Sequence, residues 1–201
     1  MTPFPQPVER TALKLVVAGG FGVGKTTAIG AISDIKPLRT EEVLTAHSTA
    51  TDSLDGVEDK TTTTVAFDFG RVGWDGPDPV ELYLFGTPGQ PRFWPLWHDL
   101  SQGAFGAVVL ADTRRLESSY PAADFFEQLG LPFVIAVNRF PGAVRRTLAE
   151  IRDAFDVPAT FPAMFCDARN PESVAGVLLT LIRHVVTLAS EASDDSALLD
   201  A

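Results

Sequence analysis

At 201 residues the chain has the length of one domain, and its 45% apolar share is enough to bury a sizeable core. A formal net charge of −10 excludes a surface built for nucleic acid or anionic lipid, both of which need clustered cations. The single cysteine, Cys166, excludes an internal disulfide and fits a reducing compartment.

Residues 1–11 are proline-rich and are expected to form a flexible N-terminal segment. Leu13 to Ala18 reads as a strand. It runs into Gly19-Gly20-Phe21-Gly22-Val23-Gly24-Lys25-Thr26, which fits G-x-x-x-x-G-K-[ST]. Glycines at this spacing let the backbone curl so that several N–H groups point inward at phosphate oxygens. Lys25 would reach the outer phosphates, and Thr26 would place its hydroxyl on Mg²⁺. The helix expected from Thr27 to Ile32 adds its positive end to the same anion. The plainer alternative is a glycine-rich turn with a solvated lysine. It accounts for neither Lys25 nor the paired threonines Thr26 and Thr27.

Lys36 to Thr63 is polar and without clear periodicity, the mark of a functional loop. Thr64 to Val72 alternates, a turn cluster follows at residues 73–79, and Val80 to Phe85 returns, so the two predict a hairpin. Gly86 to Gly103 reads as a second irregular stretch, and Ala104 to Ala111 as a buried parallel strand. Then come a helix over 120–129, a buried strand over 132–138, an amphipathic helix over 143–155, a short strand over 162–166 and a helix over 174–188. Residues 190–201 hold four acids and no base, which predicts an acidic disordered tail. No run of about 18 apolar residues is present, so no membrane-spanning helix is expected. Six strands alternating with helices predict an α/β domain over 12–189, a mixed, mostly parallel sheet with helices on both faces. The glycine loop, Gly86, Asp112, Asn138 and Cys166 each follow a strand, and so converge on one rim of that sheet.

The segments GGFGVGKTT at 19–27, KTTTTVAFDFG at 60–70, LFGTPGQPRFW at 84–94 and CDAR at 166–169 together resemble the P-loop NTPase fold of the Ras-like small GTPases. Within these, the resemblance is to the bacterial MglA-like branch, the small GTPases of conservon operons. It covers about residues 12–189. The resemblance implies GTP or GDP with Mg²⁺ as cofactors and a slow GTPase acting as a signalling switch. Gly19, Phe21, Gly22, Val23, Gly24, Lys25, Thr26 and Thr27 would hold the phosphates. Thr64 would be the threonine that senses the terminal phosphate and completes the Mg²⁺ shell with Thr26. Gly89 would offer its N–H to that phosphate, and Gln90 would orient the attacking water. Asn138 would bind the base with Arg139 beside it, backed by the loop Asp167-Ala168-Arg169. Plainer alternatives stand beside several of these. Thr64 belongs to a threonine run that β-propensity alone would place in a strand. Gly89 sits in an ordinary Pro-Gly turn, and Asn138 suits a strand-end cap. Cys166 reads as a small buried hydrophobe rather than a nucleophile, and Asp112 as a residue that orients its loop.

Three positions depart from the pattern. Gly86 stands where a carboxylate supports Mg²⁺, so weaker Mg²⁺ dependence is expected. Phe21 stands where relatives have glycine, and its ring would crowd Gln90 or an arginine arriving from a partner. Pro141 stands where an aspartate reads guanine; Asp156 and Asp167 are acids that could take its place. Hydrolysis is therefore expected to be slow. A scaffold with little or no turnover is one alternative, and an ATPase or small-molecule kinase is another, set behind because no arginine-rich lid is recognisable and the hairpin is switch-like. The segment Pro91 to Trp97 holds two tryptophans, a phenylalanine and an arginine, the composition of a protein-binding surface. The resemblance implies a Roadblock/LC7-type partner and, through it, a membrane sensor-kinase-like complex. The chain itself is expected to be cytoplasmic, with no direct membrane insertion and no nucleic acid.

Overall fold

Successive side chains of a strand point to opposite faces, so Leu15 and Val17 lie on one side of their strand and Val16 and Ala18 on the other. All four are buried, which places this strand at the centre of a sheet covered on both faces. The structure, a computed structural model, describes residues 9–45, 62–90 and 93–199. In chain order it has β1 (Thr11–Ala18), α1 (Lys25–Ile32), β2 (Leu38–Thr45), β3 (Thr62–Trp74), β4 (Val80–Gly86) and α2 (Pro95–Ser101). These are followed by β5 (Gly106–Ala111), a 3₁₀ turn at Leu116–Ser119, α3 (Tyr120–Leu129), β6 (Phe133–Asn138), α4 (Leu148–Ala154), β7 (Ala163–Cys166) and α5 (Pro171–Leu199).

The sheet order is β2-β3-β4-β1-β5-β6-β7. β3 pairs antiparallel with both neighbours and every other ladder is parallel. α1 and α5 cover one face through Ile29, Val177, Leu178 and Leu181. α2, α3 and α4 cover the other through Trp97, Phe126, Ile151 and the residues around them. The order reverses at β1, whose neighbours β4 and β5 follow it in the chain on opposite sides. The crevice at the carboxyl end of such a reversal is where open α/β sheets hold ligands.

The α/β fold agrees with the sequence, and four elements differ. The sheet has seven strands, not six. Leu38–Thr45, inside the expected loop, pairs with β3 as an edge strand, which needs a backbone ladder rather than apolar periodicity. A helix, α2, occupies part of the irregular stretch. Pro95 opens it at a position where the missing N–H has no partner to lose. α4 starts at Leu148 rather than near residue 143, because Thr147 and Glu150 form a reciprocal capping box there. α5 runs on to Leu199, past the expected end at 188 and through most of the expected tail. Its stretch Pro171–Ser193 is long and apolar enough, by length and composition, to cross a membrane, where the sequence predicts no such helix. Val174, Val177, Leu178 and Leu181 of that stretch pack in the core, and 22% of its most apolar segment is buried.

Candidate functional site

The turn after β1 is glycine-rich because its backbone turns left-handed. Gly19, Gly22 and Gly24 have φ of +132°, +76° and +107°, where a Cβ strains the chain. Gly24 has a second reason to lack a side chain. A Cβ there would lie 2.6 Å from Asn138 Nδ2 and 3.3 Å from Ala168 Cβ. The loop is thus seated closely on the end of β6 and on the turn after β7. Val23, inside it, is fully buried, and its carbonyl accepts from Asn138.

Lys25 opens α1 and folds back under the loop. Its Nζ donates to the carbonyls of Gly19 at 2.9 Å and Gly20 at 2.8 Å. Burial pushes its pKa down to about 8, against the nearby Asp68 carboxylate, which raises it. A buried ammonium held by neutral carbonyls gains from any anion that enters the loop, since desolvation penalises an unpaired charge.

The Thr26 hydroxyl donates to the Asp68 carboxylate. Asp68 lies on β3 directly opposite Gly86 of β4. A Cβ built on Gly86 would stand 3.0 Å from Asp68 Cβ and 3.4 Å from Asp68 Oδ2. The carboxylate that Gly86 lacks therefore reaches the same place from the neighbouring strand. Sequence reasoning finds the deficit at Gly86 and misses Asp68. The signal was in the hairpin, since a turn closing between Trp74 and Val80 puts Asp68 across from Gly86. Thr26 and Asp68 are oxygen donors of the kind that Mg²⁺ takes together with phosphate oxygens and waters, and the pair fits that ion. No group of three or more His, Cys, Asp or Glu side chains that could hold a metal ion occurs among the described residues. Thr64, the other expected metal ligand, is in register with Val43 in the β2–β3 ladder rather than at the end of an open loop.

The loop after β4 lies directly on the glycine turn. A Cβ built on Gly89 would stand 2.8 Å from both Lys25 Nζ and Phe21 N, and 2.9 Å from Gly20 C. The Pro88 carbonyl accepts from Trp97 Nε1 at 3.1 Å, which ties this loop to α2. Thr87 continues the β1–β4 ladder by donating its N–H to Val17 O at 2.9 Å, and its buried hydroxyl has no partner among the described residues. Gln90 is half-buried after Gly89, and its carbonyl accepts from Phe93 N. Phe21 is 67% exposed, its ring out at the mouth of the turn, and Thr27 is also exposed.

At the other end, Asn138 is buried and both ends of its amide are engaged. Nδ2 donates to Val23 O at 2.9 Å, and Oδ1 accepts from Ala168 N at 3.0 Å. Asn138 therefore clamps the glycine turn to the loop after β7. Asp167 is held by Arg169: the side-chain hydrogen bond from that guanidinium, then the Arg169 N–H, bring its carboxyl down to about 2. Asp156 follows α4 and is not among the residues lining the cleft beside Asn138. The Arg139 N–H donates to Cys166 O at 2.8 Å, and its guanidinium lies 5.0 Å above the Phe165 ring. A cleft of about 560 Å³ adjoins Asn138 and is lined by Arg139, Phe140, Arg145, Arg146 and Phe165. Cys166 is buried, and burial pushes its thiol pKa up, as suits a core residue. Asp112 is fully buried and binds the guanidinium and N–H of Arg114, so it organises its own loop.

A glycine turn on a central parallel strand, a lysine folded beneath it and a helix with threonines in its first turn define a P-loop nucleotide-binding protein. Residues 17–188 match the profile of the family described as "Conserved hypothetical ATP binding protein". The chain belongs to that family. This overturns the resemblance to the MglA-like conservon branch of Ras-like GTPases. The most specific of the segments behind that resemblance, the P-loop, is shared by P-loop proteins at large, so it does not choose a branch. No curated protein matches the chain.

Proposed function

We propose that the protein is a nucleotide-dependent switch that binds a purine nucleoside triphosphate with Mg²⁺ and hydrolyses it slowly. One observation carries this reading: Gly89 rests on the P-loop against Lys25 and Phe21. A terminal phosphate must reach Lys25, so it displaces the loop after β4. That loop holds Trp97 through Pro88, and its movement shifts α2. The γ-phosphate is thereby coupled to a surface helix, the element that a switch needs. The Mg²⁺ ion, held by Thr26 and Asp68, would supply charge neutralisation on the phosphates. Lys25 binds the outer phosphates, and Gln90 positions the attacking water.

Binding is led by the phosphates, and the base is read weakly. Asn138 spends its amide on Val23 and Ala168, Asp167 is paired with Arg169, and Pro141 has no acceptor. The cleft beside Asn138 offers guanidinium donors, which suit ring acceptors that adenine and guanine both carry. GTP is the triphosphate expected from the sequence, and ATP is the one in the family's description. A protein that covers the exposed Trp94 is the proposed reader, with a Roadblock/LC7-type regulator as its expected class and the cytoplasm as its expected place. The alternative, a static scaffold, draws on Gly86, Phe21 and Pro141; the position of Asp68 opposite Gly86 supports the first reading on the first of these points.

Displacement of a fluorescent diphosphate analogue by GDP, GTP, ADP and ATP, with and without Mg²⁺, tests the reading. Comparable displacement by both triphosphates, strengthened by Mg²⁺, is expected. No displacement by any of the four would sink it, and Mg²⁺-independent binding without phosphate release would favour the scaffold.

A further inference from the structure

The loop after β5 carries two successive arginines with opposite fates. Arg114 is bound to the buried Asp112 carboxylate at 2.6 Å and stacks on the Phe140 ring at 3.9 Å. Arg115 turns toward the P-loop. Its Nη2 donates to the Phe21 carbonyl at 3.0 Å and lies 3.5 Å from the place a Cβ on Gly22 would take. No ion pair to Arg115 forms among the described residues. Its backbone is fixed on both sides. The Arg115 N–H donates to Asp112 O at 2.9 Å, and the Arg115 carbonyl accepts from Ser118 N at 3.1 Å and Ser118 Oγ at 2.7 Å. The same platform touches the P-loop again, where Gly20 N donates to Ser119 Oγ at 3.5 Å. A guanidinium is thus carried on a fixed base, with only its side-chain torsions free.

We propose that Arg115 is the chain's own arginine for the terminal phosphate. It rests on the Phe21 carbonyl and moves onto the phosphate when the nucleotide enters. This rests on the hydrolysis reading above. Phe21 marks the terminal-phosphate end of the turn, because its N–H and Lys25 Nζ lie together beneath Gly89. In the step, a water oxygen attacks the γ-phosphorus. The bond from that phosphorus to the β–γ bridging oxygen breaks, and its electron pair stays on the diphosphate. One water proton leaves to solvent and the other stays on the released phosphate. Negative charge grows on the bridging oxygen, and a planar guanidinium within reach binds it through two N–H groups. Phe21 fits the same picture. Its ring, 67% exposed at the mouth, obstructs an arginine brought by a partner, while its carbonyl parks the one already present.

The test is single-turnover hydrolysis of ATP and GTP with Mg²⁺ by the full chain and by Arg115→Ala and Arg115→Lys. Affinity for ADP and GDP and the thermal midpoint are measured on the same samples. Arg115→Ala should lose roughly a thousand-fold in rate, the low end for an arginine in this role. Diphosphate affinity should stay within about threefold, since ADP and GDP lack the terminal phosphate that Arg115 engages. Lysine should recover little of the rate, because it lacks the planar fork. An unchanged rate in Arg115→Ala, with the wild type turning over, overturns the proposal alone. So does a parallel loss of diphosphate affinity, which would make Arg115 a tether of the P-loop. A wild type that binds triphosphate and releases no phosphate removes the hydrolysis reading and this proposal together.

Discussion

A carboxylate acts from wherever its oxygens lie, and here the strand that supplies it has changed. Asp68 reaches the Thr26 hydroxyl from β3, over the space left by Gly86. Neutralising it by Asp68→Asn keeps the shape and removes the charge. Hydrogen bonds to charged groups are worth about 1.5–3 kcal/mol, so Mg²⁺-dependent triphosphate affinity should fall roughly 10- to 100-fold. Diphosphate binding without Mg²⁺ should be little affected. Moving the carboxylate back, by Asp68→Gly with Gly86→Asp, should restore the Mg²⁺ dependence. Titrating Mg²⁺ against a fluorescent triphosphate analogue measures all three, and an unchanged profile in Asp68→Asn would dismiss the assignment. Local spacing made Lys25 and Thr26 legible in the sequence, because the residues that act together are neighbours in the chain. Asp68 was not legible that way, because its role depends on a strand register. Asn138 was legible as a site residue but not as a clamp. The choice between base ligand and clamp is made by Val23 and Ala168, which are distant in sequence.

Composition marks Trp94 and Trp97 alike, and their places on α2, one at its cap and one in its first turn, tell them apart. Trp97 is 3% exposed, hydrogen-bonded to Pro88 and packed edge-on against Phe125, while Trp94 is 40% exposed. Trp97→Ala should therefore cost about 3–5 kcal/mol of stability by chemical denaturation. Trp94→Ala should cost less, about 0.5–1.5 kcal/mol for its ring contact with Trp97 at 5.9 Å, and weaken partner binding. Equal costs would mean that both tryptophans are core. α4 gives a second element-scale outcome. Its start is set by Thr147 and Glu150, a Thr-x-x-Glu signature present in the sequence but outweighed by apolar spacing that begins earlier. Thr147→Ala should cost about 1 kcal/mol. The Thr147 N–H and hydroxyl hold the Glu150 carboxyl below its ordinary value of 4.5. The contribution of Glu150 is then complete above that value and fades as pH falls through the depressed one. The stability loss in Thr147→Ala should accordingly shrink on acidification. A loss that is constant with pH would mean that the Thr147 hydroxyl takes no part in holding the Glu150 carboxylate.

Across the whole molecule, the buried strands could be read directly. A strand covered on both faces must be apolar along its length, as β5 and β6 are. The edge strand β2 escaped because, among the described residues, it pairs on one side only, and its sequence need satisfy only that ladder. This difference between centre and edge shapes how a ligand stabilises the fold. On the proposed reading, phosphates in the P-loop would touch the turn after β1 and, through Mg²⁺, Asp68 of β3, while a third phosphate would engage the loop after β4, which rests on the P-loop at Gly89. Elements from both sides of β1 then share one ligand, which binds the folded state alone. At a hundred times its Kd, such a ligand adds about 2.7 kcal/mol of stability. For a domain of this size that is roughly 5–11 °C in Tm. Mg²⁺ with either ATP or GTP should give a shift of this order, and Mg²⁺ with tripolyphosphate a large part of it, since the grip is on the phosphates. A thermal melt with each ligand at matched saturation checks this. A shift confined to one nucleotide would place the energy at the base and demand an acceptor that Pro141 cannot supply.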